Sequence, residues 1–151
     1  MPSTRRRIYW DSDVFLSYIN EMADRLPVLD ALLAEAASPN GSIEICSSVL
    51  SQVEVAFART EQDNRALDPT VEEKIDSLWA DRKAVKVVEY HEAIGVEARK
   101  LIRLAISQGY ALKPVDAIHL ATAKWFNAQE YHCYDQRLDK YSDILGVPIL
   151  R

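Results

Sequence analysis

Residues 6–19 read RRIYWDSDVFLSYI, and the parsing of that stretch decides the fold. Arg6 to Trp10 is a short β-favouring run. Asp11, Ser12 and Asp13 follow it directly, three residue types that accept hydrogen bonds from the free N–H groups of a helix start. Val14, Phe15, Tyr18 and Ile19 then recur at helical spacing. A strand therefore runs straight into a helix, with acids at the junction.

The same alternation continues along the chain. A second helix begins near Pro27, a residue tolerated in a first turn, and buries Leu29, Leu32, Leu33 and Ala36. Asn40-Gly41 stops it, and residues 42–50 carry Ile43, Ile45, Val49 and Leu50 in an extended run. Ser51 with Glu54 three residues later has the capping-box spacing of another helix start. Residues 60–69 are polar and charged and read as a loop, after which Val71, Ile75, Leu78 and Trp79 mark a helix. The valine-rich residues 84–90 form a third strand. From His91 a long helix places Ile94, Ala98, Leu101 and Ala105 on one face and stops at Gly109. Pro114 opens the next helix, whose residues 115–125 are apolar nearly all round, as expected of a helix packed on both sides. Residues 131–134 make a fourth strand, Asp135 begins a short charged helix, and residues 147–150 offer a fifth strand. This alternation predicts an α/β fold, a three-layer α/β/α sandwich around a mostly parallel sheet, with residues 1–151 as a single domain.

Composition narrows the function classes. A hydrophobic fraction of 48% with only 4 Gly and 6 Pro excludes a disordered, collagen-like or low-complexity chain. No apolar stretch approaches the roughly 20 residues that span a bilayer, and the basic start lacks the apolar segment of a signal peptide. The two cysteines, Cys46 and Cys133, make neither a disulfide framework nor a zinc spacing, so a reducing cytoplasm is the expected compartment. Lys and Arg number 18 against 23 Asp and Glu, a net charge of -5. That balance argues against a nucleic-acid binder relying on a basic surface, and any nucleic-acid chemistry here would need a bound cation.

Sheets of this kind bind ligands beyond the carboxyl ends of their strands. The residues predicted there are acids: Asp11 after the first strand, Glu54 after the second, Asp116 entering the apolar helix and Asp135 after the fourth. Each alone is explained by the preference of carboxylates for helix starts. Four at one rim would repel one another, and without a cation at least one should hold a proton. All-oxygen anionic ligands select magnesium or manganese, and one or two such ions can activate water and stabilise a leaving oxygen at phosphorus.

The pieces IYWDSDVFLSY, SQVEVAF, PVDAIHLATA and CYDQRL, in this order and spacing, resemble the acidic motifs of the PIN-domain ribonucleases, most closely the VapC-type toxins. The resemblance runs essentially end to end, and residues 116–123 are its most specific part. It implies that Asp11, Glu54, Asp116 and Asp135 are the catalytic, metal-binding acids, with Ser12 the hydroxyl neighbour of the first. It implies further a magnesium- or manganese-dependent endoribonuclease working as a homodimer with a protein antitoxin. Two positions depart from the pattern. Cys133 stands where a Thr or Ser is common, which makes Asp139 a substitute for the fourth acid, and Asp13 replaces the usual Asn or Ser and adds negative charge. For the RNA, Arg5, Arg6, Arg7, Arg99, Lys100, Arg103, Lys113, Lys124 and Arg137 supply positive charge, most of them as solvated surface groups.

Other residues have ordinary explanations. His119, one turn after Asp116, reads as a packed histidine that could face the site; Trp10, Trp79 and Trp125 read as core or interface, and Cys133 as packing. Two rival functions remain. The Asp11-Ser12-Asp13 start also fits a haloacid-dehalogenase-like phosphatase with Asp11 as nucleophile, although Glu54 and Asp116 would then have no role. A non-catalytic PIN-like module that binds RNA or a partner is the other.

Overall fold

Strand β1 (Arg6–Trp10) lies at the centre of a five-stranded sheet, flanked by β2 (Ile43–Ser48) and β4 (Glu130–His132), with β3 (Val85–Val88) and β5 (Ile149–Leu150) at the edges. The order is β3-β2-β1-β4-β5 and every pairing is parallel. The computed structural model describes residues 4–151. Between β1 and β3 run helices α1 (Ser12–Ile19), α2 (Leu26–Ala37), α3 (Leu50–Glu54), α4 (Arg59–Asn64) and α5 (Pro69–Ala80); α6 (Glu92–Ser107), α7 (Pro114–Trp125) and α8 (Ser142–Leu145) follow.

Side chains alternate across a strand, so β1 divides the core. Ile8 and Trp10 pack with Phe15, Leu29, Ile45, Leu78 and Val85 on the face covered by α1, α2 and α5. Tyr9 packs with Cys46, Ile94, Leu101, Leu120 and Tyr131 on the face covered by α6 and α7. Two covered faces are what an all-parallel sheet requires, and the predicted three-layer α/β/α sandwich is observed.

Local chemistry explains most boundaries. Asp11 caps α1 by accepting from the Ser12 N–H, and Asp68 caps α5 through Thr70. Gly41 is required between α2 and β2, because a Cβ there would fall 1.9 Å from the Glu35 carbonyl oxygen. Gly109, with φ +84°, follows α6 in the left-handed conformation expected of a helix stop.

Four expectations are corrected. Ser51 does not cap a helix: α3 starts at Leu50, and the Ser51 hydroxyl is spent on Ser47 at 2.7 Å inside the protein. Residues 60–69 are not all loop, because the Glu61 carboxylate accepts from the Ala58 and Asp68 N–H groups and closes α4 into a helix. The later strands are shorter than predicted, β4 ending at His132 before the chain turns into the 3₁₀ helix Gln136–Tyr141. Finally, α7 packs on the sheet and on α6 but leaves Val115 and Trp125 about half exposed, so it is not covered all round. Trp10 is fully buried and Trp79 packs on Phe15, as core residues.

Candidate functional site

The strand order reverses direction at β1: the chain moves outward to β2 and β3, then crosses back to β4 on β1's other side. At such a switch point the flanking loops diverge and open a crevice beyond the strand ends. Asp11 sits at its mouth, its N–H donating to the His132 carbonyl across the gap at 3.0 Å.

Asp11 is 6% exposed, and both its oxygens are engaged. Oδ1 accepts from the Ser12 N–H at 2.6 Å, and Oδ2 accepts from the Tyr131 hydroxyl at 2.7 Å. Tyr131 is stacked on Tyr9, its register partner across β1 and β4, with ring centroids 5.1 Å apart. Burial and the Asp11 charge push both phenols well above their ordinary value, so each stays a neutral hydroxyl that can donate.

Glu54, at the end of α3, turns toward α7 rather than toward its own helix start. Its Oε1 lies 2.5 Å from His119 Nε2, and its Oε2 lies 3.3 Å from the Ser12 hydroxyl. His119 is 1% exposed; its Nδ1 meets the Tyr9 hydroxyl at 2.6 Å, and Tyr9 accepts from the Ser48 N–H. Burial alone would lower the His119 imidazole, but the Glu54 hydrogen bond and the charges of Asp11, Glu54 and Asp116 outweigh it and raise it. His119 is thus packed, as the sequence suggests, and is also a hydrogen-bonding member of the site.

Asp116, in the first turn of α7, is half-buried. Burial and Asp11 raise its carboxyl, Asp135 adds to the rise, and His119 and Lys113 oppose it. Asp135 caps the 3₁₀ helix and is gripped by the Arg137 guanidinium at 2.8 and 3.0 Å, which holds its carboxyl below the usual range. Asp139 is exposed and engages Arg151 instead of the other acids. Asp13 accepts from the Tyr134 and Asp135 N–H groups through Oδ2 at 2.9 and 3.0 Å, tying α1 to the exit of β4. Its Oδ1 is buried with no hydrogen-bond partner among the described residues. Burial, then the charge of Asp11, pushes its carboxyl up to about 7. A fifth acid, Asp13, is thus raised alongside Asp116.

Among the described residues, no group of three or more Asp, Glu, His or Cys side chains forms a ready-made metal cluster. The reason is visible: Glu54 is held by His119, Asp135 by Arg137, and Asp11 by Tyr131 and Ser12. The donor set nevertheless fits a hard divalent cation, being all oxygen, and Asp116 is raised by burial and then by the charge of Asp11, part of which such an ion would relieve. Sequence reasoning missed Tyr9 and Tyr131 as donors; their only signal is a polar-tipped ring on an inward-facing strand position. Of the candidate RNA cations, Arg6, Arg7, Lys124 and Arg137 are ion-paired, and Arg5 bonds the Ala36 and Ser38 carbonyls. Arg99, Lys100, Arg103 and Lys113 are exposed and form no ion pair among the described residues.

The PIN domain family model matches residues 8–144. Similar solved structures include VapBC-1 from nontypeable Haemophilus influenzae, 14% identical with 95% of this chain and 96% of that chain covered at a TM-score of 0.63. VapBC2 from Rickettsia felis, bound to a DNA fragment from their promoter, gives the same identity, coverage and score. A toxin-antitoxin complex from Klebsiella pneumoniae is 18% identical over 93% of this chain and 94% of that chain, at a TM-score of 0.57. No curated protein matches the sequence. At these identities the likeness is one of fold.

Proposed function

The chain belongs to the PIN-domain family, and from that premise we propose that it is a metal-dependent endoribonuclease, the toxin of a toxin-antitoxin pair, that hydrolyses RNA phosphodiester bonds. The observation behind this reading is the half-buried Asp116 in the crevice, whose carboxyl is raised by burial and then by the charges of Asp11 and Asp135. These three acids would hold one or two magnesium or manganese ions, with Glu54 completing the set directly or through water. A bound ion of this kind lowers the proton affinity of water and offsets charge at phosphorus.

The chain's own groups prepare that site. Tyr131 and the Ser12 N–H fix the Asp11 carboxylate, so its orientation is set before any ligand arrives. Lys113, exposed beside Asp116, and the Arg137 side chain over Asp135 supply positive charge toward an incoming phosphate. The toxin-antitoxin complexes that share the fold support an antitoxin partner. The apolar groove between α6 and α7, lined by Tyr90, Ala98, Ile102 and Ile118, supports a second copy of the chain. No helix of the described residues is long and apolar enough to cross a membrane, and the proposed compartment is the cytoplasm, where RNA is at hand.

The test is cleavage of single-stranded and hairpin RNA with manganese, with magnesium and with a chelator. Cleavage that the chelator and Asp116→Asn each abolish supports the proposal; a fully active Asp116→Asn protein overturns it. The phosphatase alternative instead predicts a phosphoryl group trapped on Asp11 and tight beryllofluoride binding. A binding module predicts that Asp11→Asn leaves the biological effect unchanged.

A further inference from the structure

Beside the acidic crevice, a groove of about 350 Å³ runs between α1, the turn into α2 and α4, within the size range of ligand pockets. Two arginines line it, Arg25 and Arg59. Arg25 is half-buried and held from two sides. Its Nη1 donates to the Ser17 hydroxyl at 2.9 Å, and its guanidinium carbon lies 3.7 Å from the centre of the Tyr134 ring. Arg59 is exposed at the start of α4, and its backbone N–H donates to Asn20 Oδ1 at 2.8 Å, which fixes α4 beside the end of α1. Among the described residues neither guanidinium forms an ion pair, in contrast to those of Arg6, Arg7, Arg137 and Arg151.

A guanidinium presents five donors in a planar fork that matches a phosphate, and one already held in place loses less freedom on binding. Ser17 takes one N–H of Arg25, and the Arg59 side chain is unengaged among the described residues. Asp13 and Asp63 also line the groove. Their carboxyls suit the hydroxyl and amino groups of a nucleoside and repel an acidic peptide. Asp13 joins the groove to the crevice, since its Oδ2 accepts from the Asp135 N–H at 3.0 Å.

Resting on the ribonuclease reading above, we infer that this groove binds a nucleotide of the RNA adjoining the cleaved bond, with Arg25 and Arg59 on its phosphate. The acids act on the bond, and the groove holds the strand that carries it.

The experiment follows, by fluorescence anisotropy, the binding of a labelled single-stranded RNA of about 12 nucleotides and randomised sequence to the full chain. It is run in chelator, where the RNA stays intact, from about 0.1 to 1 M salt. Arg25→Gln and Arg59→Ala should each make the dependence of log affinity on log salt shallower by about 0.7, which is about fivefold weaker binding at the low-salt end. Arg25→Lys keeps the charge and should keep the slope, which a merely structural loss would not. Arg82→Ala, an exposed arginine at the opposite end of the sheet, should change neither quantity. The inference is overturned if the wild type does not bind this RNA, or if the groove variants lose no more than Arg82→Ala does. Groove variants that bind RNA normally but no longer retain a co-expressed antitoxin overturn it in favour of a protein partner. Failure of the underlying reading is separate: the wild type then cleaves no RNA in manganese, whatever the binding curves show.

Discussion

Replacing Asp13 by Asn removes a titrating group while keeping the oxygen that accepts from the Tyr134 and Asp135 N–H groups. In the folded protein burial, and then the Asp11 charge, raise Asp13 from 3.8 to about 7. An acid raised in this way holds its proton more tightly folded than unfolded, so stability falls as pH climbs from near 4 to near 7. Below that window both states are protonated and the acid costs nothing. Above it both are ionised and the folded state carries the full penalty, about 4 kcal/mol for this displacement. At pH 5.5 the penalty is partial, about 2 kcal/mol. The Asn variant is spared all of it. In chelator, where no cation offsets the charge, Asp13→Asn should therefore match the wild type at pH 4 and unfold about 10 °C higher at pH 8. Thermal unfolding followed by circular dichroism from pH 4 to 8.5 measures the divergence. Two curves that stay parallel across that range would refute the assignment of a buried, protonated acid at position 13.

Three further outcomes follow from the same geometry. Tyr131→Phe strips the buried Asp11 Oδ2 of its donor and should cost about 1–3 kcal/mol in urea unfolding; an unchanged midpoint would mean the hydroxyl is not holding the carboxylate. Arg137→Ala removes the guanidinium that keeps Asp135 low, so the side-chain carboxyl followed by NMR should titrate higher, back toward its ordinary range; a titration that does not move would show that the pair does not form in solution. Cys46 and Cys133 are both buried and burial pushes both thiols up, so neither should react with a thiol reagent at pH 8 until the protein is unfolded, when both should. Immediate reaction of the native protein would contradict their packing.

The framework was legible in the sequence because it rests on local signals. Asp11 at a strand-to-helix junction, Pro114 opening α7 and Gly109 closing α6 each declare an element boundary within a few residues. What was illegible depends on distance along the chain. Glu54 and His119 lie 65 positions apart, and nearby sequence offered Glu54 a capping role that the fold overrides with a stronger donor. Tyr9 and Tyr131 look like ordinary inward strand residues until register sets them side by side under Asp11. Asp13 reads as a helix-start acid that adds negative charge, and only the exit of β4 closing over it shows that it is buried. The six-residue α4 has no apolar periodicity to announce it, since it is held by the Glu61 carboxylate.

The crevice between β1 and β4 joins distant parts of the chain: Asp13 and Asp135, which close it, are 122 positions apart. On the ribosome, β1 and β2 can pair while the remainder is still being made, but Asp135 emerges 122 positions after Asp13. A nascent chain therefore carries Asp11 and Asp116 without the wall that completes their site. For an enzyme proposed to cut RNA, this order of emergence leaves the site open until the segment after β4 has been made.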